Sequence, residues 1–239
     1  MFFAIPLLPV LAVYIAVAVV PAFILLRYVY RHDTIEKEPP LLLVTLFLLG
    51  VVSALCATVL ESIAQTVLNL LIDPESPFYT VLMAFLVVAV MEEGTKLYFL
   101  KRRTWDHPAF NYRFDGVVYA VFVSLGFAAY ENILYVFQYG LSVALPRALL
   151  AIPGHMSFAV FMGVFYGRAK LCEGRGKDAA TRRNLRRGYF TAVFLHGFYD
   201  ACAMTGGGKA LLVFAVFIVL MYLSVYRTLR RESTADRPV

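Results

Sequence analysis

The sequence predicts an all-α, polytopic transmembrane helix bundle of about seven spans, and three observations predict it. Hydrophobic residues make up 61% of the 239 positions and charged residues only 16%, against roughly 45–50% and 25% in ordinary globular chains. The mean hydropathy of +0.72 is more than a soluble core of this size hides. Apolar runs of about 20 residues, enough for ~30 Å of hydrocarbon, recur along the chain. Helices follow because a helix satisfies its own backbone hydrogen bonds in lipid.

Reading the apolar runs between charged or Pro/Gly-rich breaks places the spans at 3–27, 41–60, 78–100, 114–137, 146–168, 188–205 and 209–226. The first has no Lys or Arg before it, is too long for a cleavable signal, and is followed by Arg27 and Arg31. That pattern predicts an uncleaved anchor with its N-terminus outside. The second follows Pro39-Pro40 and closes at Glu61, expected at the outer interface. The third ends at Lys101-Arg102-Arg103, and the fourth opens on Phe114-Asp115-Gly116, with Asp115 expected as a helix-end contact. The fifth carries Gly163 and Gly167, a spacing that marks close helix packing. The sixth follows Arg186-Arg187, and the seventh ends at Arg227. No repeat or long linker divides the chain, so residues 1–239 are expected to form one transmembrane domain.

The pI of 9.2 and net charge of +6 would point to nucleic acid in a soluble protein. Here the basic residues are sorted by side. The loops after spans 1, 3 and 5 and the C-terminal tail hold 3, 4, 8 and 4 Lys/Arg, leaving only Arg147 and Lys209 outside and Lys96 within span 3. The positive-inside rule reads this as N-out, C-in, in a cell membrane. The stretch from Arg175 to Arg187 is then a topology determinant facing anionic headgroups. No aromatic residues interleave with it, so RNA or DNA is not the expected partner. Cys56, Cys172 and Cys202 form no C-x-x-C pair, so neither a disulfide framework nor a thiolate metal site is suggested and packing is the expected role.

Charges inside the spans need a reason, since each costs about 2.5–3.5 kcal/mol at bilayer centre. Span 3 reads Glu92-Glu93-Gly94-Thr95-Lys96, span 4 contains Phe127-Ala128-Ala129-Tyr130-Glu131-Asn132, span 5 carries Pro153-Gly154-His155, and span 6 carries His196-Gly197-Phe198-Tyr199-Asp200. At ~1.5 Å per residue, Glu93, Glu131, His155, His196 and Asp200 all fall in the middle of the membrane, which predicts that they converge. His196 and Asp200 are i,i+4 and share a face, as do Glu92 and Lys96. Pro153-Gly154 should bend span 5 just before His155. Four carboxylates against Lys96 leave a triple negative charge that a low-dielectric site will not hold. A divalent metal on His155, His196 and a carboxylate is one solution. Protonation of one or two carboxylates, giving an acid/base dyad, is the other.

Together these motifs resemble the PrsW family of intramembrane proteases, part of a wider group with the type II CAAX-processing proteases and a non-catalytic scaffold subunit. The family's E-E-x-x-K stands as Glu92-Glu93-Gly94-Thr95-Lys96, its F-x-x-x-E as Phe127 to Glu131, its isolated histidine as His155, and its H-x-x-x-D as His196 to Asp200. The resemblance covers roughly residues 78–205. It implies hydrolysis of a peptide bond in a membrane-anchored protein, such as the first cut in an anti-sigma factor at the outer side of a bacterial cytoplasmic membrane. Zinc-dependent and purely glutamate-dependent schemes both exist for such enzymes. In the zinc scheme His155, His196 and Glu131 ligate the metal, and Asp200 is a fourth ligand or orients His196. Glu93, or else Glu92, is then the general base, with Glu93 preferred because Lys96 is better placed to hold Glu92, and Asn132 is an extra donor to the oxyanion. An ion-coupled transporter also places such groups at mid-membrane, but broken-helix repeats are missing. A scaffold would have lost motif positions, and none is lost here.

Overall fold

The computed structural model describes residues 7–239, so residues 3–6 of the expected first span lie outside it. Seven long helical segments run through the described residues, with no strand among them. They are α1 Leu7–His32, α2 Pro40–Leu71, α3 over 79–104, α4 Asp115–Tyr139, α5 Leu141–Glu173, α6 Asp178–Thr205 and α7 Gly208–Thr234. Five of them (α1, α2, α4, α5 and α7) are long and apolar enough to cross a membrane by themselves. The other two carry more charge, which dilutes their hydropathy: α3 holds Glu92, Glu93, Lys96 and the basic run from Lys101, and α6 holds Asp200 and four arginines.

Most helices overrun the expected spans, because hydropathy registers the length in hydrocarbon and not the length of helix. The largest difference is α2, which continues eleven residues past its expected end, through Glu61 to Leu71. Glu61, expected at an interface, therefore lies well inside the helix. The polar residues that follow are absorbed locally: Thr66 and Ser62 each donate to the carbonyl one turn back, both at 2.8 Å.

Helix α4 is the axis of the bundle, packed against α1, α2 and α5, while α6 lies between α5 and α3. In the most apolar window of α4, 72% of residues are buried, against 11% in α1, whose side chains face outward to the lipid. Lipid tails are as apolar as leucine, so helix association depends on close packing and polar contacts. Both appear at the α4 crossings. A Cβ on Gly126 would lie 2.0 Å from the Phe47 carbonyl oxygen of α2, and one on Gly163 of α5 would lie 2.6 Å from that of Gly116. The Gly163/Gly167 pair is thus an intramolecular crossing, as its spacing predicts.

All four basic segments meet at one end of the bundle. Arg113 and Arg168 both bind Glu232 of α7, at 2.8 and 3.0 Å, and Asn111 donates to Glu36 at 3.0 Å. The tail closes over this end: the Phe114 N–H donates to Asp236 at 2.8 Å, and the Val239 N–H to Asn111 at 3.0 Å. Asp115 accepts the backbone N–H groups of Asn111 and Tyr112 at 3.0 and 2.7 Å, the expected helix-end contact. The three cysteines are free.

Two helices are irregular where they approach the centre. In α3 the segment Met83–Ala89 is π-helical and leads directly into Glu92 and Glu93. In α5 the segment Arg147–Ala151 is π-helical and leads into His155. The bend expected at Pro153-Gly154 is not what marks this helix: residues from Ile152 on are α-helical, and the irregularity is the π-helical turn just before, next to the N–H that proline lacks.

Candidate active site

Helices α3, α4, α5 and α6 bring Glu92, Glu93, Lys96, Glu131, His155, His196 and Asp200 into one buried cluster. Its hub is the Lys96 ammonium, which donates to Glu92 at 2.9 Å, to Glu93 at 2.8 Å and to His155 Nδ1 at 3.2 Å. The i,i+4 and i,i+3 spacing puts both glutamates within reach of one lysine, so Lys96 holds both and not Glu92 alone. The Phe127 ring lies 4.0 Å from the same nitrogen, which gives the motif phenylalanine a physical role as a cation–π partner.

The two histidines are fixed from opposite sides. His155 Nε2 is 2.9 Å from Glu131 Oε2. Lys96 has protons to give and none to accept, so His155 Nδ1 accepts and its Nε2–H donates to Glu131. The Nδ1 lone pair therefore points at a cation. His196 Nδ1 is 2.9 Å from Glu93 Oε1, and its Nε2 is 3.3 Å from Asp200 and 3.9 Å from Glu92. Phe158 stacks on the His196 ring with centroids 4.7 Å apart, and the two imidazoles meet edge-to-face at 5.3 Å.

One ligand atom from each of Glu92, Glu93, His155 and His196 lies within 4.8 Å of the others, and all four residues are buried. These donors fit a divalent metal on two grounds. Two imidazoles with a carboxylate make up a known catalytic zinc set. Glu93 Oε2, moreover, is buried without a hydrogen-bond partner, an acceptor left open for a ligand. Glu131 and Asp200, expected as ligands, stand outside this compact group, each against one histidine ring.

A cavity of about 370 Å³ opens onto the cluster. Glu92, Glu131, His155, His196 and Asp200 line it, together with Arg147 and Glu61. Its walls reach Pro146 and Met204, close to the α4–α5 and α6–α7 turns, at the end of the bundle away from the basic loops. Glu93 is fully buried beneath it.

Three residues stand elsewhere than the sequence predicts. Asn132, expected beside the oxyanion, spends its amide on other partners: its Nδ2 donates 2.7 Å to the Ala18 carbonyl of α1, and its Oδ1 accepts from Arg147 at 2.8 Å. One helical position rotates a side chain by about 100°, which turns Asn132 from the site that Glu131 faces. Arg147, counted as an outer-side charge, reaches inward to Glu131 at 3.0 Å, because α5 starts five residues before the expected span. Glu61 lines the cavity because α2 does not end there. Its signal in the sequence was a lone acid inside an apolar helix, which also fits an interfacial end.

The chain is also similar to proteins already known. Residues 38–225 match a family model described as PrsW family intramembrane metalloprotease. The chain is 34% identical to Protease PrsW of Geobacillus kaustophilus over 186 residues, covering 78% of this chain and 77% of that one. It is 32% identical to Protease PrsW of Bacillus subtilis, covering 85% and 89%, and 31% identical to that of Shouchella clausii, covering 90% and 95%. No solved structure matches the chain.

Proposed function

The chain belongs to the PrsW family of intramembrane proteases, and from that membership we propose that it hydrolyses a peptide bond of a membrane-anchored protein at the Glu92–Glu93–His155–His196 centre. The observation that carries this reading is the meeting of two imidazoles and two carboxylates beneath a cavity within the bundle. His155, His196 and Glu93 are the proposed metal ligands. A zinc ion held by them would supply Lewis-acid polarisation of the scissile carbonyl and would make the attacking water more acidic. Glu92 is the general base: unlike Glu93 it lines the cavity, and a base must touch the water whose proton it takes. As water oxygen bonds to the carbonyl carbon, Glu92 takes one proton. When the C–N bond breaks, Glu92 returns that proton to the leaving amine.

Glu131 and Asp200 orient the imidazoles, each holding one ring nitrogen. Lys96 offsets one of the two glutamate charges and holds both carboxylates by hydrogen bonds. Phe158, stacked on His196 at the cavity wall, holds the plane of that ring. With the basic loops at the cytoplasmic face, the cavity opens on the outer side of the membrane. That opening suits a single-span substrate cut near its outer end, as an anti-sigma factor would be, in a bacterial cytoplasmic membrane.

One observation favours a second reading, a metal-free glutamate mechanism. Lys96 already occupies the centre of the donor group, and there it serves as the counter-ion for a Glu92/Glu93 pair. The test uses protein purified in detergent, a single-span test substrate and elemental analysis. Cleavage with about one zinc per chain, lost on chelation and restored by zinc, supports the metal reading. Cleavage by metal-free protein supports the dyad. A protein that leaves several such substrates intact overturns both.

A further inference from the structure

The outer wall of the cavity carries an arginine that the chemistry above does not use. Arg147 lies on the π-helical turn that opens toward His155, with its side chain largely buried. Its guanidinium makes three contacts with α4. One nitrogen is 3.0 Å from Glu131 Oε2, Nε donates to Asn132 Oδ1 at 2.8 Å, and the central carbon lies 3.8 Å from the Tyr135 ring centroid. Asn132 is itself anchored to α1 through Ala18. Glu131 Oε2, the atom that Arg147 holds, is also the atom that accepts from His155 Nε2.

From this shared oxygen we infer that Arg147 is a positioning residue of the proteolytic site, fixing Glu131 so that His155 presents its Nδ1 to the centre. The inference rests on the proteolytic reading for its kinetic consequence and on the geometry alone for the state of the imidazole. A planar fork suits the task, because two donors in fixed relation meet acceptors on consecutive residues while the flat face covers Tyr135. A lysine presents its donors from a single point and has no flat face to lay on the Tyr135 ring. The arrangement also explains how an arginine is kept in the membrane, where an unpaired one is costly. Severing Arg147 leaves Glu131 bound to His155 alone and free to swing with it.

The test compares Arg147→Ala and Arg147→Lys with the wild type, using the full chain in detergent and the single-span substrate. The expected result is a kcat lower by about 10–100-fold, as for other residues that hold a histidine's carboxylate partner, with KM changed by less than about threefold. Arg147→Lys should stay low despite its charge, and millimolar guanidinium should restore part of the Arg147→Ala rate. Wild-type kcat in either variant overturns the inference. So does a loss that tracks a lowered melting temperature and does not respond to guanidinium. If Arg147→Ala does not survive purification, the kcat and melting temperature of Arg147→Lys decide. A second readout is independent of turnover: with ¹⁵N-labelled histidine, Lys96 should keep His155 with a bare Nδ1 and a protonated Nε2 in every variant, but the Nε2–H resonance should shift and broaden in Arg147→Lys as Glu131 loosens. An Nε2–H resonance as sharp and at the same position as in the wild type overturns the inference even if no substrate is cut, whereas an inert wild type with the expected shift in Arg147→Lys counts against proteolysis only.

Discussion

Tyr222 of α7 donates its hydroxyl to the backbone carbonyl of Leu149 at 3.0 Å, and to that of Leu150 at 3.1 Å. The α-helical donor to the Leu149 carbonyl would be the N–H of residue 153, and residue 153 is proline. In lipid an unpaired carbonyl costs several kcal/mol, so a side chain from another helix supplies what the sequence removed. This contact ties α7, which carries none of the site motifs, to the turn that precedes His155.

Removing that hydroxyl should therefore be felt at the site. Tyr222→Phe is expected to lose about 1 kcal/mol of stability, the net worth of a typical hydrogen bond, and to lower cleavage several-fold. Thermal melting in detergent and the cleavage rate measured on the same preparation check it. Wild-type behaviour in both would mean that the π-helical turn needs no outside donor.

The two adjacent glutamates should separate in their effects. Glu92→Gln is expected to reduce cleavage by about 10²–10⁴-fold, the usual weight of a general base, while zinc content stays at the wild-type level. Glu93→Gln should lower both. Elemental analysis alongside initial rates distinguishes them, and equal zinc loss in the two variants would assign both carboxylates to the metal.

Lys96 should matter more for folding than any other residue of the cluster. Lys96→Met leaves Glu92 and Glu93 buried without a counter-ion, and breaking such a buried pair costs about 3–5 kcal/mol. A marked fall in melting temperature is expected, with partial recovery in the Lys96→Met/Glu93→Gln double variant, since one uncompensated charge is then removed. Denaturation followed by helical circular dichroism measures both.

At the basic end, the α1–α2 loop carries two buried carboxyls outside the spans. Burial pushes Asp33 up to about 6, and Glu38, which accepts the Tyr119 hydroxyl, up to about 7. One Asp33 oxygen is buried with no partner. Both groups hold protons in the fold that they release on unfolding between about pH 4 and 7, so stability is greatest at the acid end and falls as pH rises through 6 to 7. The melting temperature of the wild type should drop from pH 5 to pH 8 more than that of an Asp33→Asn/Glu38→Gln variant. Parallel pH curves would sink this assignment.

The site was legible in the sequence to an uneven degree, and the reason is physical. Glu92, Glu93, Lys96, Glu131, His155, His196 and Asp200 stood out because charge inside an apolar run is expensive, and that expense is visible without coordinates. Asn132 was read into the site because it follows Glu131, yet adjacent helical positions point in different directions. Arg147 and Glu61 were read out of it because each sits where an apolar run ends, and hydropathy locates the edge of hydrocarbon, not the end of a helix.

The chain's own order of residues determined the helical, membrane-embedded character, the number of long helices and the need for buried charges to neutralise one another. These follow from hydration and backbone hydrogen bonding, which depend on local composition. Tertiary structure alone decided which glutamate faces the cavity, that one lysine bridges both, and that Arg147 and His155 meet on a single oxygen of Glu131. Those outcomes depend on the rotation and depth of helices brought together by close packing at Gly126 and Gly163, and a shift of one turn would redistribute every contact.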